Sequence, residues 1–146
     1  MSLSNTTENA LLALIFQNAN FANIGDATGL RGSSTAGSFY LALYTADPGE
    51  AGSATTNEAT YTSYGRIALA RSAVDFTVTG NQVVNANGIT FATCTGGSNT
   101  ITHWGIVTSS SGAGTLLWSG SFNSAIAVSN NIAPFIASGA LQLNID

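Results

Sequence analysis

One histidine, one cysteine, seven carboxylates and three arginines are the whole inventory from which this chain could assemble a reactive centre. His103 lies in Ile101-Thr102-His103-Trp104-Gly105-Ile106-Val107, an apolar run that reads as a core strand. A Ser-His-Asp triad can be drawn from His103, one of many serines and Asp26, Asp47 or Asp75, but no G-x-S-x-G elbow accompanies it. A packed histidine with one hydrogen bond is the favoured reading. One His and one Cys do not supply a structural zinc site without distant carboxylates. Cys94 has no second cysteine to bridge and is expected to sit as a small buried hydrophobe. Neither Gly96-Gly97 nor Gly112 and Gly114 precede a helical pattern, so they form turns rather than a phosphate cradle.

Two further groups of residues invite chemistry. Asp47, Glu50 and Glu58 concentrate acid in one loop, which raises the question of calcium. Calcium takes six to eight oxygen ligands at close, alternating spacing, and here Pro48-Gly49 separates the first two acids. Pairing of Glu58 with Arg66 or Arg71 across neighbouring strands, or an inter-subunit contact, is the better reading. Trp104, Trp118, Tyr40, Tyr44, Tyr61 and Tyr64 could stack on sugars, but aromatics equally fill β cores and subunit interfaces. Core or interface is expected. No metal, cofactor or catalytic residue is assigned, and the chain is read as non-enzymatic.

The elements that must position these residues begin with a helix over about residues 5–18. Asn5 is expected as its N-cap, with Glu8 three residues on as a variant capping box. Leu11, Leu14 and Ile15 fall at helical spacing while Leu12 and Phe16 fill the flank, so the helix should be covered on several sides. A Gly/Ser/Thr-rich loop spans residues 25–38. Beyond it the period becomes two: Phe39, Leu41 and Leu43 alternate with Tyr40, Ala42 and Tyr44. Asp47-Pro48-Gly49 and Thr79-Gly80-Asn81 are turns. Further strands are expected at Ile67 and Leu69, at Val74, Phe76 and Val78, at Val83 and Val84, and from Ile89 to Phe91. Others follow from Ile101 to Val107, Leu116 to Trp118, Ala125 to Val128 and Leu141 to Ile145. Leu41, Leu43, Phe76, Phe91, Leu141 and Leu143 should face the core. The fold expected is mainly β: an antiparallel β-sandwich of about eight strands, jelly-roll or Greek-key-like, with an N-terminal helix. It is read as a single domain, with a helical arm at 1–20, a loop at 21–38 and the sandwich at 39–146.

Charge narrows the function. Only 7% of the residues are charged, none is lysine, and the net charge is −4. An ordinary soluble domain is roughly a quarter charged. Ser, Thr and Asn, about a third of the chain, carry the polar surface instead. Such groups are far cheaper to desolvate than ammonium or carboxylate, which suits a chain packed against other protein. Arg31, Arg66 and Arg71 cannot form a stripe for phosphates, so no nucleic-acid partner is expected. The N-terminus has no basic n-region, and the longest apolar run, residues 10–16, is well short of the roughly 20 needed to span a bilayer. No membrane partner is expected, and synthesis is placed in the cytoplasm.

Several blocks resemble a family of small tailed-bacteriophage virion proteins, often labelled phage tail fibre protein and in part similar to head decoration, or cement, proteins. The run Tyr40-Leu41-Ala42-Leu43-Tyr44-Thr45-Ala46-Asp47-Pro48-Gly49-Glu50-Ala51-Gly52 carries the resemblance, with Asn57-Glu58-Ala59-Thr60-Tyr61 and Tyr64-Gly65-Arg66-Ile67-Ala68-Leu69 after it. Asn85-Ala86-Asn87-Gly88-Ile89-Thr90-Phe91, Thr102-His103-Trp104-Gly105-Ile106 and Gly139-Ala140-Leu141 are similar to later blocks. The resemblance implies a virion component without catalytic residues. With no repeat, no heptads and no room for a shaft, capsid cement is the leading expectation. Its partners would be the major capsid protein and copies of the chain itself, as a dimer or trimer. The alternative is a small tail-fibre or tail-tip component, or a host-glycan-binding module. Candidate contact residues are Leu12, Phe16, Arg31, Asp47, Glu50, Glu58, Tyr61, Tyr64 and Arg66, with the loops at 25–38 and 47–58 as contact regions.

Overall fold

The computed structural model describes residues 3–145. One helix, α1 (Asn5–Gln17), precedes nine strands among the described residues: β1 (Ser38–Tyr44), β2 (Ile67–Ala70), β3 (Phe76–Thr79), β4 (Gln82–Asn85), β5 (Ile89–Thr90), β6 (Asn99–Val107), β7 (Leu116–Val128), β8 (Phe135–Ile136) and β9 (Gln142–Asn144). The fold is mainly β with antiparallel pairing, as the period-two pattern requires. The strands form sheets of four (β2-β1-β6-β7), three (β3-β4-β9) and two (β5-β8). They fall into two compact units, one of residues 3–38, 70–88 and 137–145, the other of residues 39–69 and 89–136.

In the first unit, α1 starts one residue earlier than the sequence suggests. Ser4, in extended conformation, caps it and its hydroxyl accepts from the Thr7 amide at 3.4 Å. Both Ser4 and Asn5 are capping types, so composition alone could not separate them. Asn18 closes the helix in the left-handed conformation at φ 57° and donates its N–H to Ala13. Glu8, Leu12 and Phe16, each four residues apart, are buried, and the flanks from Thr7 to Gln17 are at least half covered. The helix packs on β3 and β4, where the Phe16 and Phe76 rings meet edge to face at 5.0 Å. Gly80 at φ 61° is the first residue of the two-residue turn joining β3 to β4, as a type II′ hairpin demands. Val74, expected within a strand, instead precedes β3 and is 69% exposed. Asn85 is buried; its amide donates to the carbonyls of Asn87 and Ala137 and its oxygen accepts from the Leu141 N–H. It thereby fixes the chain entering β9, where Leu141 and Leu143 are buried.

In the second unit, β1 and β6 pair from Tyr40↔Val107 to Tyr44↔His103 at the centre of the four-stranded sheet. The expected alternation along β1 fails, because Leu41, Ala42, Leu43 and Tyr44 are all fully buried. A central strand covered on both faces reads as continuous apolar sequence rather than alternation. Leu41 and Leu43 share one face with Ile106 and Trp104, while Ala42 and Tyr44 pack on the other with Ala54 and Val107. Two glycines make room for the rings: a Cβ at Gly105 would meet the Tyr44 ring at 2.7 Å, and one at Gly120 the Trp104 ring at 2.6 Å. The two separate strands expected at Leu116–Trp118 and Ala125–Val128 are one strand, β7. Its register with β6 slips between Ile101 and His103 and again between Ile106 and Val107, which obscures the period in sequence.

Candidate functional site

Within the second unit, the residues singled out at 44, 58, 64 and 66 come together around one guanidinium. Arg66 grips Glu58 with two parallel bonds, Nε to Oε1 at 2.6 Å and Nη2 to Oε2 at 2.8 Å. The two side chains keep only 2% and 15% of their exposure. Its remaining donors reach backbone carbonyls: Ser109 at 2.8 Å, Gly112 at 2.9 Å and Ala54 at 3.2 Å. The Tyr64 hydroxyl donates to Glu58 Oε1 and accepts from the Leu43 N–H, both at 3.0 Å. Tyr44 donates to the Ala54 carbonyl at 3.2 Å. One ion pair thus ties the loop at 47–58, the loop at 108–115 and strand β1 together. The planar fork of arginine suits this role, since it offers a carboxylate two donors and still has others for carbonyls.

The same cluster shifts its titrating groups. Burial, with the nearby negative charge of Glu58, lifts the Tyr44 phenol to about 12. Burial pushes Tyr64 up further still. The hydrogen bond to Glu58 raises the Arg66 guanidinium despite its burial. Each shift favours the charge state that the bonding pattern needs, a cationic Arg66 beside neutral phenols. No phenol here is tuned toward a base or nucleophile at neutral pH.

Glu58 therefore pairs with Arg66, and Arg71 does something the sequence did not suggest. In the first unit Arg71 donates to the carbonyls of Leu14 (2.9 Å) and Ile15 (2.7 Å) in the last turn of α1, and to Ala36 at 3.0 Å. A cation there satisfies carbonyls that the helix leaves open and complements its dipole. The interaction spans more than fifty residues of sequence, and no local pattern announces it.

The remaining candidates are spread over the molecule. Leu12 and Phe16 are fully buried and Tyr61 nearly so, which closes these side chains off from any partner. Tyr61 donates to Ala92 and stacks edge-on with Tyr64 at 5.4 Å. Arg31, Asp47 and Glu50 are exposed. Asp47 holds its own turn through the Gly49 N–H at 2.8 Å, and Asp26 accepts from Thr28 and Gly29, bonds that lower its pKa. The loop at 47–58 lies down on the sheet rather than reaching outward: Pro48 and Ala54 are buried, and the Thr45 N–H donates to Asn57. The loop at 25–38 is tied to the helix end by Asn18 and Asn20, and displays Leu30 and Arg31. His103 sits half-buried on β6 with Nδ1 at 2.8 Å from Thr102 Oγ1. Cys94 is buried, as expected, beside the Gly96 carbonyl.

A small, mainly β chain in which Arg66 and Arg71 hold its own loops and helix has the character of a structural component. The chain belongs to the family described as podophage GP4 fiber I protein gp80, whose model matches residues 2–144. That membership makes it a bacteriophage virion protein and agrees with the resemblance read from the sequence blocks. No curated protein matches the chain. No helix among the described residues is long and apolar enough to cross a membrane.

Proposed function

We propose that this chain is a non-enzymatic structural subunit of a fibre on the phage particle. It would act by packing against copies of itself and against the proteins at the fibre's attachment point. The observation that carries this reading is the match, over nearly the whole chain, to a family described as a fibre protein. It moves the tail-fibre alternative ahead of capsid cement. The side-chain chemistry supports a structural role, since Arg66, Glu58 and Arg71 engage the protein's own backbone and side chains. The burial of Tyr44, Tyr61 and Trp104 within the chain's own fold speaks against their stacking on glycans, because a sugar platform needs its ring faces open. The test is immunogold labelling of intact particles with antibody raised against the chain. Gold confined to the fibres supports the proposal. Gold distributed over the head returns the chain to capsid decoration, and unlabelled, chain-free particles overturn both.

A further inference from the structure

The two edges of the four-stranded sheet are built differently. Strand β2 is four residues long, with Arg66 immediately before it and Arg71 immediately after it. Short length is a device that keeps an edge from pairing with another chain, while both flanking arginines are engaged by the protein's own groups. Strand β7, at the opposite edge, is thirteen residues long and contains neither a charged residue nor a proline. Ser119, Ser121, Asn123, Ser124, Ala125 and Ala127 are exposed along it. Among the described strands β7 pairs only with β6, so its outer backbone groups face away from the sheet. Between the register slips, Ser119, Gly120 and Ser121 pair residue for residue with Gly105, Trp104 and His103, which leaves this stretch of the edge regular.

We infer that the outer edge of β7 docks a second copy of this chain, β7 antiparallel to β7 across a two-fold axis. The inference rests on the reading of the chain as an assembling subunit. Its occupant follows from the charge pattern: between Asp75 and Asp146 no residue carries a formal charge, and the other acids all lie at Asp75 or earlier. A charged partner would lose hydration at this edge and find no counter-charge. An uncharged strand edge fits it, and β7 offers one at Ser119 to Ser121. Self-pairing about a two-fold matches every donor with an acceptor and sets no like charges opposite one another. The exposed hydroxyl and amide side chains are cheap to desolvate as the strands meet.

The experiment is sedimentation of the purified full-length chain over a wide concentration range, beside a Ser119→Lys/Ser121→Lys double variant. Thr77→Lys, exposed on β3, serves as control. A wild-type dimer, an unchanged control and a dissociation constant raised at least about tenfold in the double variant are expected. A wild-type monomer or trimer, or a double variant that stays dimeric, overturns the inference. Amide exchange on the wild type guards against a variant that fails to fold: protection at Ser119 and Ser121 must rise with concentration, and concentration-independent protection also overturns it. None of these readouts uses particles, so the edge can fail while the fibre assignment stands, and the reverse.

Discussion

Arg66 and Arg71 are five residues apart in sequence and do different work in the two units of the molecule. Arg66 is neutralised by a carboxylate in a two-point grip, and joins two loops to the centre of a sheet. Arg71 meets the carbonyl end of a helix and the segment that follows it. In the first case a bidentate carboxylate grip anchors two loops; in the second a guanidinium reaches the open carbonyls at a helix end. Both leave outward-facing surface poorer in charge than the composition already suggests. Arg31 is the contrast, an exposed arginine on the loop at 25–38.

Removing each cation should rank these roles. Arg66→Met strands Glu58 and three carbonyls in a largely buried setting, and should cost about 3–5 kcal/mol in denaturant unfolding. The double variant Arg66→Met/Glu58→Gln should recover a measurable part of that loss, since it removes the uncompensated charge along with its partner. Alkaline titration gives the next effect, read at the Arg66 site through Tyr44. A tyrosine with a raised folded pKa holds its proton more tightly when folded. The stability contributed by Tyr44 is therefore complete below about pH 10 and is lost as pH rises through about 12. That loss should be on the order of 2–3 kcal/mol, and Tyr44→Phe should blunt it. Arg71→Met should cost about 1–3 kcal/mol, seen as early loss of helical circular dichroism. Arg31→Ala should stay within about 0.5 kcal/mol of wild type by thermal melting. A larger effect for Arg71 than for Arg66 would invert the comparison.

Much of this was legible in sequence because it depends on short-range pattern. The helix, the period of two and the burial of Leu41, Leu43, Phe76, Phe91, Leu141 and Leu143 follow from residue type and spacing. The partnership of Glu58 was legible as a need for a cation, but the choice of Arg66 over Arg71 is a fact of topology. Other features were hidden for physical reasons. Coverage of β1 on both faces erased its alternation, and the register slips along β7 made one strand resemble two. Asn85 gave no signal, since its three side-chain bonds depend on the chain returning at Ala137 and Leu141. The grouping of α1 with β3, β4 and β9 likewise joins segments from both ends of the chain.

The central claim is that Glu58, Arg66 and Arg71 are engaged within the protein and that the subunit meets its neighbours through uncharged surface. It is tested most directly by washing purified particles at increasing sodium chloride and counting the copies of the chain retained on each particle. Contacts made by apolar groups, hydroxyls and amides are little screened by salt, so the copy number should be unchanged from low to molar concentration. Progressive release of the chain as salt rises would show that ion pairs hold it in place, and would contradict the account.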